Sequence, residues 1–135
     1  MILIGKGVYN NIFCQIFIEE NFTLKNNLII NSDNYTTELY SIINKVINLN
    51  EKMCITVVLI NLKENNDDCI LVDMVNSFSI AVLRSGLSVN DIVVGCEGSV
   101  VLYNKKIIIY QESNITGDIE CIKNKILEEA LSGIS

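Results

Sequence analysis

The 135-residue sequence contains no histidine, no proline and no tryptophan. Without histidine the chain has no imidazole chemistry, which excludes Ser-His-Asp triads, Cys-His dyads and His-ligated zinc. The average proline usage of about 5% would give about six or seven prolines in this length, so their absence is unusual. These absences remove several reaction classes without naming a function.

Arginine is nearly missing as well, because Arg84 is the single arginine among ten basic residues. Sixteen acidic residues give a formal net charge of −6. Arginine is the usual side chain for phosphate and nucleic-acid recognition, and an autonomous RNA-binding domain normally carries a basic patch. Here the basic residues form only short pairs such as Lys105-Lys106. We therefore expect any contact with RNA to be weak or shared with partner proteins.

Targeting signals and cysteine pairs are also lacking. The amino-terminal residues have no basic region followed by a long apolar region, as a signal peptide would, and no apolar run approaches the roughly 18 residues of a membrane span. We therefore expect no association with a membrane. The cysteines show no C-x-x-C spacing and are predicted to be small buried side chains in a reducing compartment; they are Cys14, Cys54, Cys69, Cys96 and Cys121.

Half of the residues are hydrophobic and 19% are charged, which is enough apolar material for a core without metals or disulfides. The periodicity of the apolar residues predicts a single domain over residues 1–135, of mixed α/β (α+β) class, in the order βββ-α-β-α-ββ-α. Strands are predicted over 2–4, 12–18, 28–30 and 55–62, and a hairpin over 92–102 and 106–111. Helices are predicted from Thr36 to about Leu49, over 69–85 and over 118–131.

Several short motifs predict local structure or chemistry. Gly5-Lys6-Gly7 lacks the spacing of a phosphate-binding loop and is interpreted as a turn. Asp33 or Thr36 is predicted to cap the first helix, and Gly86 to end the second. Three carboxylates near the start of the second helix could hold a metal or act as a general base, although capping and complementing the helix dipole is the better interpretation; they are Asp67, Asp68 and Asp73.

One longer stretch, from Cys54 to Cys96, carries a more specific pattern. A strand of the form I-x-V-x-L is followed by a polar loop and then by an apolar helix with Asn, Ala and Gly at fixed intervals. A segment with Asp and Cys completes the pattern. In this order and spacing the stretch resembles the RNase PH family, and the residues that carry the resemblance are Asn76, Ala81, Gly86, Asp91, Val94 and Cys96.

The resemblance implies a shortened RNase PH-like domain with the ribosomal protein S5 domain 2-like fold, of the kind found in ring subunits of the eukaryotic exosome. Catalytic members of the family hold inorganic phosphate with a Gly-Gly-Thr-Arg-type loop. At that place this sequence has Asn66, Asp67, Asp68 and Cys69, without glycine or arginine. Because two adjacent carboxylates repel phosphate, the resemblance implies no catalytic, cofactor-binding or metal-binding residues.

The function expected from the resemblance is that of a non-catalytic structural subunit of the exosome core ring. It would support 3'-5' processing and degradation of RNA, ribosomal RNA included, by threading RNA to a nuclease that another subunit supplies. The implied partners are other RNase PH-like subunits of a hetero-hexameric ring and S1/KH cap subunits, in the nucleus (nucleolus) and cytoplasm. Two alternatives stay open: a residual metal-dependent phosphorolytic exoribonuclease that uses Asp67, Asp68 and Asp73, and an unrelated adaptor domain.

Overall fold

A computed structural model describes residues 1–20, 27–50, 52–62, 70–112 and 117–132. The described residues form two β-sheets and three α-helices in a mixed α+β arrangement. That arrangement confirms the predicted class, while a single domain over residues 1–135 stays a prediction. In chain order the elements are β1 (Ile2–Tyr9), β2 (Ile12–Glu20), β3 (Leu28–Asn31), α1 (Thr36–Val46), β4 (Met53–Asn61), α2 (Ile70–Ser85), β5 (Val93–Cys96), β6 (Ser99–Leu102), β7 (Ile107–Gln111) and α3 (Ile119–Ser132).

The first sheet has the strand order β1-β2-β4-β3. β1 and β2 form an antiparallel hairpin whose turn places Asn10 at a φ of 52°, a left-handed conformation that asparagine tolerates well. β4 pairs antiparallel with β2 and parallel with β3. A parallel pair needs a crossover connection, and α1 lies in the connection between β3 and β4.

Alternation along the strands separates a core face from an outward face. On β2, Ile12, Cys14 and Ile16 are buried in the core, whereas the alternating residues Phe13, Gln15 and Phe17 are only half-buried. The core face of β4 continues this layer, and α1 and α2 supply the other half of the core. The predicted all-apolar α2 is confirmed as a core helix, because it packs against β1 and β2 on one side and against β5 on another.

The predicted turn at Gly5-Lys6-Gly7 is wrong, because these residues belong to β1, whose pairing with β2 shifts register between Leu3 and Gly5. Both glycines face α2 at a point where the helix approaches the strand very closely. A Cβ atom on Gly5 would lie 2.3 Å from the carbonyl oxygen of Ala81, and one on Gly7 would lie 2.8 Å from the Ala81 nitrogen. The glycines are therefore required by helix–strand packing and not by a turn.

The second sheet is a three-stranded antiparallel meander of β5, β6 and β7, so the predicted long strand over 92–102 is wrong. The chain reverses at Glu97 and Gly98, whose φ angles are 42° and 86°. Positive φ at both central residues is the type I′ geometry, which matches the twist of a two-residue hairpin. Glu97-Gly98-Ser99 separates two short apolar runs in the sequence, so the residues of this turn were themselves a local signal of the break.

The helix ends agree with the predictions only in part. α1 begins after Tyr35, a left-handed residue with a φ of 60° that makes no side-chain capping bond, so the prediction of Asp33 or Thr36 as the cap is wrong. Gly86 has a φ of 78° just after α2, which confirms that it ends this helix.

The cysteines divide into two groups. Cys14, Cys54 and Cys96 are buried, as predicted, whereas Cys121 on α3 is exposed. None of these four described cysteines forms a disulfide. Cys69 lies outside the described residues. The prediction of buried cysteines is therefore wrong for Cys121, which falls on a polar face of an amphipathic helix.

Candidate functional site

The residues that carry the RNase PH resemblance lie along α2 and the segment that leads from it into β5. Asn76 and Ala81 are fully buried in α2, and Gly86 follows the helix. Asp91 is buried two residues before β5, and Val94 and Cys96 are buried within it. The six residues are therefore spread along α2 and the segment that follows it into β5.

Asn76 binds the backbone of β5 through two hydrogen bonds. Its Nδ2 donates to the carbonyl oxygen of Gly95 at 2.9 Å, and its Oδ1 accepts from the Gly95 N–H at 2.8 Å. One turn further along the helix, Ser79 donates to the carbonyl oxygen of Val93. The side chains of α2 thus bind backbone groups of β5 where a neighbouring strand would otherwise bind them.

Gly95 itself is held close to α2. A Cβ atom at this position would lie 3.0 Å from Val72, which is tight against the helix backbone. Because Gly95 has no side chain, β5 lies close enough to α2 for the Asn76 amide to bind both the N–H and the C=O of Gly95. The Gly95-Cys96 ending of the motif therefore has a packing role in this chain.

Asp91 fixes the turn between β6 and β7. Its carboxylate accepts from the backbone N–H groups of Ile92, Asn104 and Lys105 at 2.7, 3.0 and 2.9 Å. Burial acts to raise the pKa of Asp91, but these backbone donors outweigh it and the pKa is lowered. The ionised Asp91 is therefore an anchor for the turn, which the sequence pattern did not indicate.

Asp73 is the one described member of the predicted acidic group, and it lies in the first turn of α2. It is half-buried, and its Oδ1 accepts from Nδ2 of Asn10 at 2.9 Å. Burial raises the pKa of Asp73, and the bond from Asn10 lowers it only in part. Asn66, Asp67, Asp68 and Cys69 lie outside the described residues. The predicted capping of α2 by Asp67 or Asp68 therefore stays a prediction, and so does the loss of the phosphate-binding loop at these four residues.

A group of polar side chains surrounds Asp73. The pKa of the Tyr9 hydroxyl is raised first by burial and then by Asp73, Cys96 and Cys121, while a hydrogen bond with Asn76 lowers it. These side chains therefore lie near one another where the β1–β2 turn meets α2, β5 and α3. Over the parts of the chain that the structure describes, no three His, Cys, Asp or Glu residues are grouped to hold a metal ion.

Arg84 does not face solvent as a free cation. Its guanidinium donates to the carbonyl oxygens of Lys6 at 3.0 Å and Ala130 at 3.4 Å, and also to that of Glu129. It joins β1, α2 and the last turn of α3, where a cation also complements the helix dipole. The sequence did not reveal these contacts with β1 and α3.

Neither models of protein families nor curated proteins match this sequence. In the described residues, no helix has the length and apolar character needed to cross a membrane. The assignment of a function consequently rests on the residues and contacts of this chain.

A substitution of Asp73 tests whether burying its ionised carboxylate lowers the stability of the folded protein. We expect Asp73→Asn to raise the midpoint of urea unfolding at pH 7 and to leave it nearly unchanged near pH 3. The folded-state pKa is raised, so the stability linked to the protonated carboxyl is present below the unfolded pKa of about 3.9 and is lost as the pH rises. Because asparagine does not ionise, the variant does not lose this stability as the pH rises.

The matched control for this measurement is Asp33→Asn, which removes the same charge from an exposed position. It should change the midpoint little at either pH. A lower midpoint for Asp73→Asn at pH 7 would contradict the expected cost of burying the carboxylate.

Proposed function

We propose that this protein is a non-catalytic structural subunit of the RNA exosome core ring, closest to the ribosomal RNA-processing protein 46 type. Its RNase PH-like domain would pack against related ring subunits and against S1/KH cap subunits in the nucleus and cytoplasm. RNA would pass through the assembled ring to a nuclease supplied by another subunit. The role of this chain would then be to complete the ring.

The observation that carries the proposal is that three of the motif residues each have a defined structural role. Asn76 binds Gly95, Gly86 ends α2, and Asp91 anchors the turn between β6 and β7. A structural role at each of these positions supports the RNase PH-like pattern over a chance match of strand and helix.

The single arginine supports the absence of catalysis. All three guanidinium nitrogens of Arg84 donate to backbone carbonyl oxygens. A guanidinium that is engaged in this way lacks the open fork that holds a phosphate group. The one arginine of the chain thus stabilises the fold instead of forming a phosphate site.

The outward face of the first sheet supports a role in assembly. We define this face by Val8, Phe13, Phe17, Ile29, Val58 and Ile60, which cross-strand pairing places on one side. Val8 is 44% exposed, and Ile29 and Ile60 are each 43% exposed. Val8, Phe13 and Ile60 are adjacent in this pairing, whereas Lys6 and Gln15 interrupt the apolar residues further along the same face. Exposed apolar groups such as the first three residues mark sites of protein–protein interaction.

The proposal predicts that the tagged protein, purified from its native cells, co-elutes with several RNase PH-like chains identified by mass spectrometry. Ile60→Lys should remove most of these chains, because a lysine in the outward face would be buried without a partner. Leu131→Lys is the matched control, since Leu131 is 67% exposed on α3 and far along the chain from this sheet. Elution of the tagged chain as a lone monomer would contradict the ring and favour an adaptor domain.

A phosphorolysis assay with inorganic phosphate and short RNA tests the second candidate, a residual metal-dependent exoribonuclease. This candidate depends on Asp73, the described carboxylate of the acidic group, which is half-buried in the first turn of α2. On this reading Asp73→Asn would abolish the release of nucleoside diphosphates without unfolding the protein. Release by the isolated wild-type chain would overturn the non-catalytic proposal.

A further inference from the structure

β7 is an edge strand of the second sheet and carries two exposed apolar side chains. β6 is its only strand neighbour among the residues that the structure describes. Ile107 is 49% exposed and Ile108 is 52% exposed. The next two residues, Ile109 and Tyr110, are half-buried and pack against the core. An edge strand of this kind offers unpaired backbone groups and apolar side chains to another strand.

Side chains of the same chain bind the backbone of two other edge strands. On β5, Asn76 and Ser79 bind backbone groups, and on β1 the Arg84 guanidinium binds the carbonyl oxygen of Lys6. In the described part of the chain, no side chain binds the backbone of residues 107–110 in this way. β7 therefore differs from β1 and β5 in the means that cover its outer side.

The charges at the two ends of β7 have opposite signs. Lys106 comes directly before the strand and Glu112 directly after it, and both residues are exposed. Among the described residues, no ion pair engages either of them. The Glu112 carboxylate accepts from the Tyr110 hydroxyl at 2.7 Å, a bond that leaves its charge uncompensated. β7 thus runs from a positive charge at its start to a negative charge at its end.

These charges make β7 complementary to a second copy of itself in the antiparallel direction. With a two-fold axis at Ile109, each Lys106 lies opposite the Glu112 of the other copy. Ile108 lies opposite Tyr110 of the other copy, and pairs of β-branched and aromatic residues stabilise antiparallel strands. A parallel arrangement would instead place lysine beside lysine and glutamate beside glutamate.

The centre of this pairing falls on an irregularity in β7. Ile109 has no partner on β6, because the register of the two strands shifts between Val100 and Val101. Such a bulge bends the strand and increases its local twist. A two-fold axis at Ile109 gives both copies the same bend at the same point, so the two strands have matching twist where they meet.

We infer that two copies of this chain pair through β7 in the antiparallel direction. The pairing would join two three-stranded sheets into one sheet of six strands. The contact is isologous, so it uses the same residues of both copies and closes after two of them. Because one pair of strands buries little surface, the dimer should dissociate on dilution. This inference does not rest on the proposed ring function.

Sedimentation velocity of the purified full chain over a range of concentrations tests the dimer. Lys106→Glu and Glu112→Lys each place like charges opposite one another at both ends of the pair, so each should raise the dissociation constant about tenfold. The double variant Lys106→Glu/Glu112→Lys restores opposite charges and should return the constant close to that of the wild type. Glu128→Lys is the matched control, because it makes the same change of charge at an exposed position on α3.

Ile108→Thr tests the apolar part of the contact. Threonine keeps the β-branched shape that suits a strand but is less apolar, so the dissociation constant should rise about fivefold. Leu131→Thr is the control, since Leu131 is exposed on α3. Circular dichroism checks that each variant is folded. An unchanged constant for a folded Ile108→Thr protein would contradict the pairing of Ile108 with Tyr110.

Four results would overturn the β7 dimer. The first is a wild-type chain that stays monomeric at the highest concentration at which it is soluble. The second is equal weakening by Glu112→Lys and Glu128→Lys, since association would then follow net charge alone. The third is a double variant as weak as the single ones. The fourth is disruption by Ile60→Lys and by neither single charge variant, which would assign the contact to the outward face of the first sheet. Each result leaves the test of the ring by co-elution from native cells unaffected.

Discussion

Replacing Asn76 with leucine is expected to lower the free energy of unfolding by about 4 kcal/mol. The variant loses both bonds to Gly95 and leaves the N–H and the C=O of that residue without partners inside the protein. Each buried unpaired group costs about 1–3 kcal/mol. Urea denaturation followed by circular dichroism measures the change directly.

Asn44→Leu is the control, because Asn44 is exposed on α1 and makes no comparable buried contact. Its effect should stay within about 0.5 kcal/mol. Asn76→Asp adds a test of direction. The ionised carboxylate would not donate to the carbonyl oxygen of Gly95, so the loss relative to wild type should be larger at pH 7 than at pH 4. A loss that does not change with pH would contradict the role of the Nδ2 donor.

Gly5→Ala is expected to destabilise the protein by about 3 kcal/mol or more. The added Cβ would lie 2.3 Å from the carbonyl oxygen of Ala81 and 2.9 Å from Cβ of Ser85. The nearest obstacle is helix backbone, so a side-chain rotation does not relieve the clash. β1 and α2 would have to move apart, which exposes part of the core. Thermal and urea unfolding both measure this loss.

The comparison for this variant is Lys6→Ala, one residue further along β1. Lys6 is exposed, and the Arg84 guanidinium binds only its backbone oxygen. The change should therefore cost less than about 0.5 kcal/mol. Equal losses for the two variants would show that β1 is sensitive to any substitution and not to close packing with α2.

The periodicity of apolar residues along the sequence predicts two kinds of element correctly: those with one buried face and those that are buried on all sides. The alternation of Ile12, Cys14 and Ile16 with larger outward residues identified β2, and the apolar helix α2 was placed to within one residue at its start. These patterns are informative because the period of a strand or helix determines which face of the element each side chain occupies. The prediction of one strand over 92–102 overlooks the turn at Glu97 and Gly98, although glycine in a two-residue polar break is a turn signal.

Contacts between distant parts of the chain were beyond the reach of such patterns. Gly5 and Gly7 have the local appearance of turn residues, and only the approach of α2, more than 70 residues later, explains them. The bond between Asn10 and Asp73 spans 63 residues in the same way. The spacing of Asn76, Gly86 and Asp91 was visible in the sequence because all three belong to one local helix-to-strand segment.

The three bonds of Arg84 have a consequence for the order of folding. Arg84 and its acceptor on Glu129 are 45 residues apart, and Lys6 lies 78 residues before Arg84. Contacts at such separations form late, because the intervening chain must first be brought together. During translation the Arg84 guanidinium would therefore lack its acceptors on α3 until that helix had left the ribosome. A nascent chain that stops before α3 would expose one side of α2, and chaperones would have a reason to bind it there.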